Sequence, residues 1–301
     1  MPKVIAIACA DLHLSHTAPV ARSAEPDWYE AQLRPIGQLI ELQKVHGGCP
    51  IICAGDVFDR WYGSREKGTA ELINWAIYNL PQMYAVPGQH DLPYHNLDEV
   101  KKSAYYTLTL NEIVCDTSNW LLIGENKGVW FVPWGQGIAR AAGRHIVVAH
   151  QYVWTGIHHY PGAPASGNIG ALMDSLNGYN IAIFGDNHIP FEAKVGDCTV
   201  FNCGCLIPRK SDERGIRSSV GLIYEDGTIK RHYFDISQDQ WMDESDPEIE
   251  RQESGAIDAF IEDLGGLESD SLDFRDAIKR YLGENKVRPG VKNMLLEAMG
   301  E

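Results

Sequence analysis

Short apolar runs alternate with amphipathic stretches along most of the chain. The runs are rich in Val, Ile, Ala and Phe and are bounded by Gly or Pro, which is typical of buried strands. The pattern predicts strands at Val4–Ala10, Pro50–Ala54, Gln82–Val86, Leu121–Ile123, Val129–Val132, His145–Ala149, Ile181–Phe184, Thr199–Asn202, Val220–Tyr224 and Ile229–Phe234. Apolar residues at helical spacing predict helices around Asp27–Gln43 and Lys67–Asn79.

The order of these elements indicates the fold class. Strands and helices alternate up to residue 86, which is typical of an α/β core. Later strands follow one another with less helix between them, and Asp226-Gly227 joins the last two with a hairpin signal. We therefore predict an α/β domain over residues 1–236, built as a two-layer mixed β-sandwich flanked by helices.

Residues 237–301 differ from the rest in composition. They contain 17 acidic and 7 basic side chains and hold most of the formal net charge of −15. Apolar residues recur at helical spacing in three segments, Glu248–Leu264, Ser271–Leu282 and Val291–Met299. The pattern predicts an acidic, helical C-terminal appendage whose apolar faces cover either the chain's own α/β domain or a partner protein.

Composition narrows the class of protein. With 301 residues, 44% of them hydrophobic, the chain can bury a large core. Its apolar runs fall short of the roughly 18 residues that cross a bilayer, and the N-terminus lacks a signal-type segment, so we expect a cytoplasmic protein. The seven cysteines form no C-x-x-C pair, which favours reduced thiols over a zinc site. The acidic balance disfavours tight nonspecific DNA binding without excluding a nuclease.

Five of the predicted strands end in side chains that bind metals. In chain order these are Asp11 and His13, then Asp56, then Gln89, His90 and Asp91, then His150, and finally Asp186 and His188. Residues just past the carboxyl ends of neighbouring strands converge on one edge, so we expect these side chains to meet there. A single strand-end histidine is weak evidence of a site, but five such ends in series favour one.

The residue types point to metal-dependent hydrolysis of phosphoesters. Carboxylate, imidazole and amide ligands without a thiolate suit divalent ions such as Mn²⁺, Fe²⁺ or Mg²⁺. Two such ions about 3.5–4 Å apart can activate a water and hold the phosphoryl oxygens during in-line attack. We therefore expect two divalent ions, with Mn²⁺ first among the candidates.

The ordered series resembles the calcineurin-like metallophosphoesterases. The stretches Asp11-Leu12-His13-Leu14-Ser15 and Gly55-Asp56-Val57-Phe58-Asp59 look most like the SbcD-type branch, the nuclease subunits of double-strand-break repair complexes. The resemblance covers residues 4–236 and is more specific for the superfamily than for the branch. It implies the metallophosphoesterase fold, a DNA substrate and an ATPase partner subunit docked on the C-terminal helices, and it leaves a homodimer open.

Matched position by position, the resemblance implies a ligand set for each ion. The first ion would be held by Asp11, His13 and His188, with Asp56 bridging to the second. The second would be held by Gln89, His150 and Asp186.

The resemblance also implies roles for three neighbouring residues. His90 matches the catalytic histidine, which stabilises the transition state or protonates the leaving oxygen. Asp91 would orient the His90 ring, and Asp59 would support the ligands without binding a metal.

Two matched positions depart from the family, and both fall on the second ion. Gln89 stands where the family usually has Asn, and Asp186 stands where it has His. The anionic oxygen of Asp186 makes the second site a harder ligand set, which favours Mn²⁺ or Mg²⁺ over zinc. Alternatively, the added methylene of Gln89 and the changed ligand leave the second site with weak metal affinity.

Basic and aromatic residues near the series are candidates for substrate contacts. Arg209, Lys210, Arg214 and Arg217 either hold phosphates or form a solvated basic loop. Trp61, Tyr62, Tyr152 and Trp154 either stack on bases or anchor their loops.

The sequence leaves three functions open. The leading one is a metal-dependent DNA exonuclease or endonuclease of the SbcD type. The second is a phosphomonoesterase or cyclic-nucleotide phosphodiesterase, which needs a closed pocket instead of an open basic groove. The third is an inactive scaffold of the same fold, which Gln89 and Asp186 favour and the retained His90 and Asp91 disfavour.

Overall fold

The computed structural model describes residues 2–62, 68–115, 117, 121–124, 127–140, 145–156, 158–159 and 163–243. The strands are β1 (Val4–Cys9), β2 (Ile51–Cys53), β3 (Met83–Ala85), β4 (Val114–Cys115), β5 (Leu121–Ile123), β6 (Lys127–Val132), β7 (His145–His150), β8 (Tyr179–Gly185), β9 (Phe191–Val195), β10 (Cys198–Asn202), β11 (Ser219–Tyr224) and β12 (Ile229–Tyr233). The α-helices are α1 (Trp28–Val45), α2 (Thr69–Asn79), α3 (Ala104–Leu110) and α4 (Met173–Leu176).

The strands form two mixed sheets of six. The first has the order β12-β11-β1-β2-β3-β4 and the second the order β5-β6-β7-β8-β10-β9. Strands β1 to β4 run parallel, as do β6, β7, β8 and β10. Strands β11 and β12 of the first sheet and β5 and β9 of the second pair antiparallel with their neighbours. The predicted mixed, two-sheet α/β fold is confirmed.

Buried side chains line both faces of the central strands. On β7, Ile146 and Val148 belong to a cluster that also holds Ile52 of the first sheet. The alternate residue Val147 packs on the other face with Leu176 of α4. Each large apolar side chain buried this way contributes about 1.5–3 kcal/mol. Burial on both faces explains why these strands form continuous apolar runs in the sequence.

Helix α1 begins where the sequence pattern places it. The Asp27 side chain caps the helix by accepting hydrogen bonds from the backbone N–H groups of Tyr29, at 2.9 Å, and Glu30, at 3.2 Å. Its buried face presents Ile36 and Leu39 to the core cluster on the first sheet. This helix therefore covers the sheet that carries the first half of the metal-ligand series.

The hydrophobic pattern does not predict α3, β4 or β9. Strand β4 has two residues, too few for a periodicity to be visible. In β9 only the first and last residues, Phe191 and Val195, are buried, so this edge strand has the polar composition of a loop.

The chain divides into two compact units, Met1–Trp241 and Met242–Glu301. The predicted helices Glu248–Leu264, Ser271–Leu282 and Val291–Met299 lie outside the described residues. Among the helices that are described, none is long and apolar enough to span a bilayer.

Candidate metal centre

The predicted ligands follow the carboxyl ends of parallel strands in both sheets. Asp11 and His13 follow β1, Asp56 follows β2, Gln89 and His90 follow β3, His150 ends β7, and Asp186 and His188 follow β8. Strands β1, β2 and β3 are neighbours in one sheet, and β7 and β8 are neighbours in the other. Because parallel neighbours end at the same edge, each half of the series gathers at one edge of its own sheet. The two edges meet, since His150 of the second sheet lies 3.4 Å from Asp56 of the first.

Asp56 lies at the centre of the cluster. Its Oδ2 atom is 3.6 Å from His13 Nε2 and 3.4 Å from His150 Nε2. His13 Nε2 is in turn 2.9 Å from His188 Nε2. One potential ligand set is Asp11, His13 and His188, and another is Asp11, Asp56 and His150. The structure therefore brings the proposed first-ion ligands and the bridging carboxylate together.

The proposed second-ion ligands are linked to one another by hydrogen bonds. Gln89 Oε1 is 2.6 Å from His150 Nε2, and Gln89 Nε2 donates to Asp186 Oδ1 at 2.7 Å. The backbone N–H of Asp186 donates to the Asp11 carboxylate at 3.0 Å. Gln89 therefore reaches both of its expected partners, and its extra methylene does not carry it away from the cluster.

An unpartnered buried atom shows that these residues fit a bound cation. Asp56 Oδ2 has no hydrogen-bond partner, although its side chain is fully buried. An unsatisfied buried polar atom costs about 1–3 kcal/mol, and more when the group is charged. A divalent ion beside Asp56 Oδ2 would supply the missing interaction, and the carboxylate and imidazole donors suit such an ion.

The pKa values of the clustered carboxyl groups also fit a bound cation. Burial raises the pKa of Asp11 to about 7. Burial also opposes ionisation of Asp56, but attraction to His150 outweighs it and leaves the pKa of Asp56 below its ordinary value. Two acidic groups are thus held together out of water, where a cation would favour the charged form of both.

The predicted role of Asp91 is wrong. Its fully buried carboxylate accepts backbone N–H groups from Val57 at 3.1 Å, Phe58 at 2.9 Å and Gly88 at 3.0 Å. The His90 ring is held instead by its Nδ1 atom, 2.8 Å from the backbone oxygen of Asp59. Both Asp91 oxygens accept backbone N–H groups and another group holds the ring, so Asp91 fixes the turns after β2 and β3 instead.

Glu213 is a site residue that the sequence analysis missed. Its Oε1 atom lies 2.5 Å from His188 Nδ1, on the side of the ring opposite the cluster. It lies 25 residues from His188, in a short helical turn after a loop, and nothing in the local pattern marks it. Only a search for carboxylates able to support a metal-binding histidine could have suggested it.

A pocket of about 460 Å³ opens on one side of the cluster. Its lining includes Gln89, His90, Tyr152, His159, Asp186, His188, Lys210 and Ile216. Of the four predicted basic residues, Lys210 lines the pocket. The Arg209 guanidinium forms an ion pair with the Asp59 carboxylate, and Arg217 Nε donates to the backbone oxygen of Phe234.

The aromatic candidates divide between the pocket and the loops. Tyr152 lines the pocket, whereas Tyr62 is buried against Phe58. Trp154 anchors its loop by donating from Nε1 to the backbone oxygen of Pro164 at 3.0 Å. Trp61 pairs with Tyr94, with ring centroids 6.0 Å apart.

Three solved structures of low sequence identity are similar to this chain, and the one with a TM-score of 0.50 shares its fold. A dimetal phosphatase from Danio rerio is 9% identical, with 78% of this chain and 96% of that chain covered and a TM-score of 0.50. A putative 5'-nucleotidase from Staphylococcus aureus is 13% identical, with 82% and 57% covered and a TM-score of 0.47. The protein TT1561 of Thermus thermophilus is 12% identical, with 77% and 99% covered and a TM-score of 0.46.

No curated protein sequence matches the chain. The family model described as calcineurin-like phosphoesterase matches residues 6–190, which is more than half of the chain. The matched range includes every predicted metal ligand, from Asp11 to His188. The chain therefore belongs to the calcineurin-like phosphoesterase family, and we assign it as a metallophosphoesterase with a metal-binding cluster.

Proposed function

We propose that this chain is a metal-dependent phosphodiesterase of the SbcD type that cleaves DNA with two divalent ions, preferably Mn²⁺. The observation that carries the proposal is the position of His90. Its ring lines the pocket and lies 4.9 Å from the His13 ring, centroid to centroid. A proton donor or acceptor therefore stands next to the metal cluster, where a phosphoester would bind.

The chain's own residues divide the work of the reaction. The chemistry that divalent ions supply at such a cluster is activation of water and stabilisation of charge on the phosphoryl oxygens. Asp11, His13 and His188 would hold one ion and Gln89, His150 and Asp186 the other, with Asp56 between them. His90 Nδ1 donates a hydrogen bond to the backbone oxygen of Asp59. This leaves His90 Nε2 free to exchange a proton with the leaving oxygen of the substrate.

Two features support a nucleic-acid substrate. The motifs at Asp11–Ser15 and Gly55–Asp59 resemble those of SbcD-type nucleases more than those of other branches. The pocket also presents the Lys210 ammonium and the Tyr152 ring, which suit a phosphate and a base respectively.

A digestion panel tests this substrate. Single-stranded, double-stranded and circular DNA, end-labelled where they are linear, are compared with 4-nitrophenyl phosphate and a cyclic nucleotide, in Mn²⁺, in Mg²⁺ and in EDTA. We expect cleavage of DNA in Mn²⁺, none in EDTA, and none by the Asp56→Asn variant. Activity confined to the small substrates would contradict the nuclease proposal.

The same structure favours one alternative substrate class. Arg209 is paired with Asp59 instead of lining a groove, and the pocket of about 460 Å³ has the size of a nucleotide site. A phosphodiesterase acting on a small phosphoester is therefore the second candidate. Turnover of bis(4-nitrophenyl) phosphate in Mn²⁺ excludes the third possibility, an inactive scaffold.

Metal stoichiometry tests the cofactor part of the proposal. Because Gln89 and Asp186 replace the family's usual residues only at the second site, we expect two Mn²⁺ ions bound with unequal affinity. Titration calorimetry and anomalous scattering from Mn²⁺-soaked crystals measure this directly. A single ion at saturating Mn²⁺ would contradict the two-ion assignment.

The last part of the proposal concerns partner proteins. The sequence contains no G-x-x-x-x-G-K-[ST] motif, so an ATP-driven step needs a separate ATPase subunit. We propose that this subunit docks on the acidic C-terminal segments that the sequence predicts to be helical, and self-association as a homodimer is a further expectation. Sedimentation of the full chain, alone and with a candidate ATPase, measures both.

A further inference from the structure

We propose that Glu213 is a positioning residue that joins the metal cluster to the substrate pocket. Resting on the proposed function, the inference assigns it two tasks: to hold the His188 ring for metal binding, and to place Lys210 where the substrate phosphate arrives. Both tasks follow from the contacts of a single carboxylate, which is 4% exposed.

One carboxylate oxygen fixes the His188 ring. Glu213 Oε1 accepts from His188 Nδ1 at 2.5 Å, while His188 Nε2 faces the cluster at 2.9 Å from His13 Nε2. A proton held on Nδ1 leaves the Nε2 lone pair available for a metal ion. Glu213 therefore selects the tautomer and the ring orientation that a ligand needs.

The other oxygen fixes the loop that carries Lys210. Glu213 Oε2 accepts the backbone N–H of Arg209 at 2.7 Å and that of Lys210 at 3.0 Å. The Lys210 side chain is exposed and lines the pocket together with His90 and His188. The backbone that presents the ammonium is thus tied to the same group that orients a metal ligand.

His188, Cys205 and Glu213 could alternatively form a cation site, since their ligand atoms lie within 4.8 Å of one another. The contacts disfavour it. His188 Nδ1 and both Glu213 oxygens are already engaged in hydrogen bonds, which leaves neither residue a free atom on that side for a cation. A positioning role accounts for every hydrogen bond of Glu213 and requires no additional cation.

Metal titration of the full chain tests the first task. We expect Glu213→Gln to weaken Mn²⁺ binding by roughly 10–100-fold, because supporting partners of ligating histidines have effects of that size. The matched control is Glu41→Gln, which removes an exposed glutamate paired with Lys44 and should change the Mn²⁺ affinity less than twofold. Glu213→Asp keeps the charge and should restore part of the affinity.

Steady-state kinetics on bis(4-nitrophenyl) phosphate tests the second task. Lys210→Met should raise KM about tenfold, the size expected for losing one charged hydrogen bond, and leave the Mn²⁺ affinity within twofold of wild type. Glu213→Gln should raise KM and weaken Mn²⁺ binding together. This split distinguishes a residue that joins two sites from one that supports only the fold.

Wild-type Mn²⁺ affinity in Glu213→Gln would overturn the inference, and so would an unchanged KM in Lys210→Met. Circular dichroism of the metal-free proteins checks folding, and if Glu213→Gln unfolds, the affinity of Glu213→Asp decides. Full affinity in the aspartate variant would then refute a geometric role. If the wild-type protein binds Mn²⁺ but does not cleave DNA, the nuclease proposal is refuted and the inference on Glu213 is not.

Discussion

At the scale of single residues, four of the predicted ligands lie on left-handed backbone. Asp11, His13, Asp56 and Asp186 have φ values of 52°, 46°, 51° and 81°. Such a conformation in a non-glycine residue costs of order 1–3 kcal/mol and persists only where the surroundings impose it. Here the backbone N–H of Asp11 donates to Gly55 and that of His13 to Asp56, at 2.9 and 3.0 Å. These turns direct the side chains into a shared space at a cost in stability.

In our interpretation, His90 is required for hydrolysis and not for metal binding. We expect His90→Ala to lower kcat by about 10²–10⁴-fold, the range for a lost general acid or base, with metal content unchanged. The measurement is turnover of bis(4-nitrophenyl) phosphate alongside elemental analysis of the Mn²⁺-loaded protein. His46→Ala, at the end of α1, is the control. Loss of metal together with activity would make His90 a ligand, as its proximity to His13 and Asp56 also permits.

At the scale of elements, the turn after β3 packs directly on the turn after β2. A Cβ atom added at Gly88 would lie 2.0 Å from Asp56 Oδ1 and 2.6 Å from the Asp56 backbone nitrogen. Asp91 holds the same two turns together through its hydrogen bonds to Val57, Phe58 and Gly88. The position of the central carboxylate is therefore set by backbone contact between neighbouring turns.

A single methyl group should disturb this contact. We expect Gly88→Ala to lower the free energy of unfolding by roughly 1–3 kcal/mol, since the added methyl clashes with both the carboxylate and the backbone of Asp56, and to weaken Mn²⁺ binding. Gly137→Ala is the control because its added Cβ meets nothing within 4 Å. Chemical unfolding and Mn²⁺ titration of both variants give the comparison, and equal behaviour would contradict the packing argument.

At the scale of the whole molecule, a buried ionic cluster ties the end of the first unit to α1 and to the loop beside the site. Glu25 Oε1 accepts from Arg22 and Arg34 at 2.6 Å and from the Gln240 backbone N–H at 2.8 Å. Arg22 also donates to the Pro208 oxygen at 2.5 Å, and its guanidinium lies 4.6 Å from the Trp241 ring centre. Pro208 directly precedes the loop that Glu213 holds.

The Glu25 cluster predicts a pH dependence of stability. Burial alone would raise the pKa of Glu25, but hydrogen bonds from Gln240, Arg22 and Arg34 lower it below 4.5. A lowered carboxyl pKa stabilises the folded state above pH 4.5, and this contribution is lost as the pH falls through the folded-state pKa. We expect Glu25→Gln to cost roughly 3 kcal/mol at pH 7 and progressively less in acid.

Urea unfolding at several pH values measures the effect. Glu41→Gln, at an exposed ion pair, should change the free energy of unfolding by less than about 0.5 kcal/mol throughout. A Glu25→Gln deficit that stays constant down to pH 2 would show that ionisation of Glu25 is not its source.

The sequence by itself determined the fold class, ten of the twelve described strands and the strand ends at which the site forms. Strands buried on both faces need continuous apolar runs, and parallel strands end at a common edge, so both properties are visible locally. Asp11, Asp56 and His150 can therefore be selected from the sequence alone.

Only the tertiary structure decided which group supports which. The Asp59 backbone oxygen holds His90, Glu213 holds His188, and Arg209 pairs with Asp59 instead of reaching the pocket. These contacts join loops that are 25 to 150 residues apart, and their partners depend on how the turns pack. Apolar periodicity records which face of an element is buried, but it carries no information about which polar groups meet across two loops.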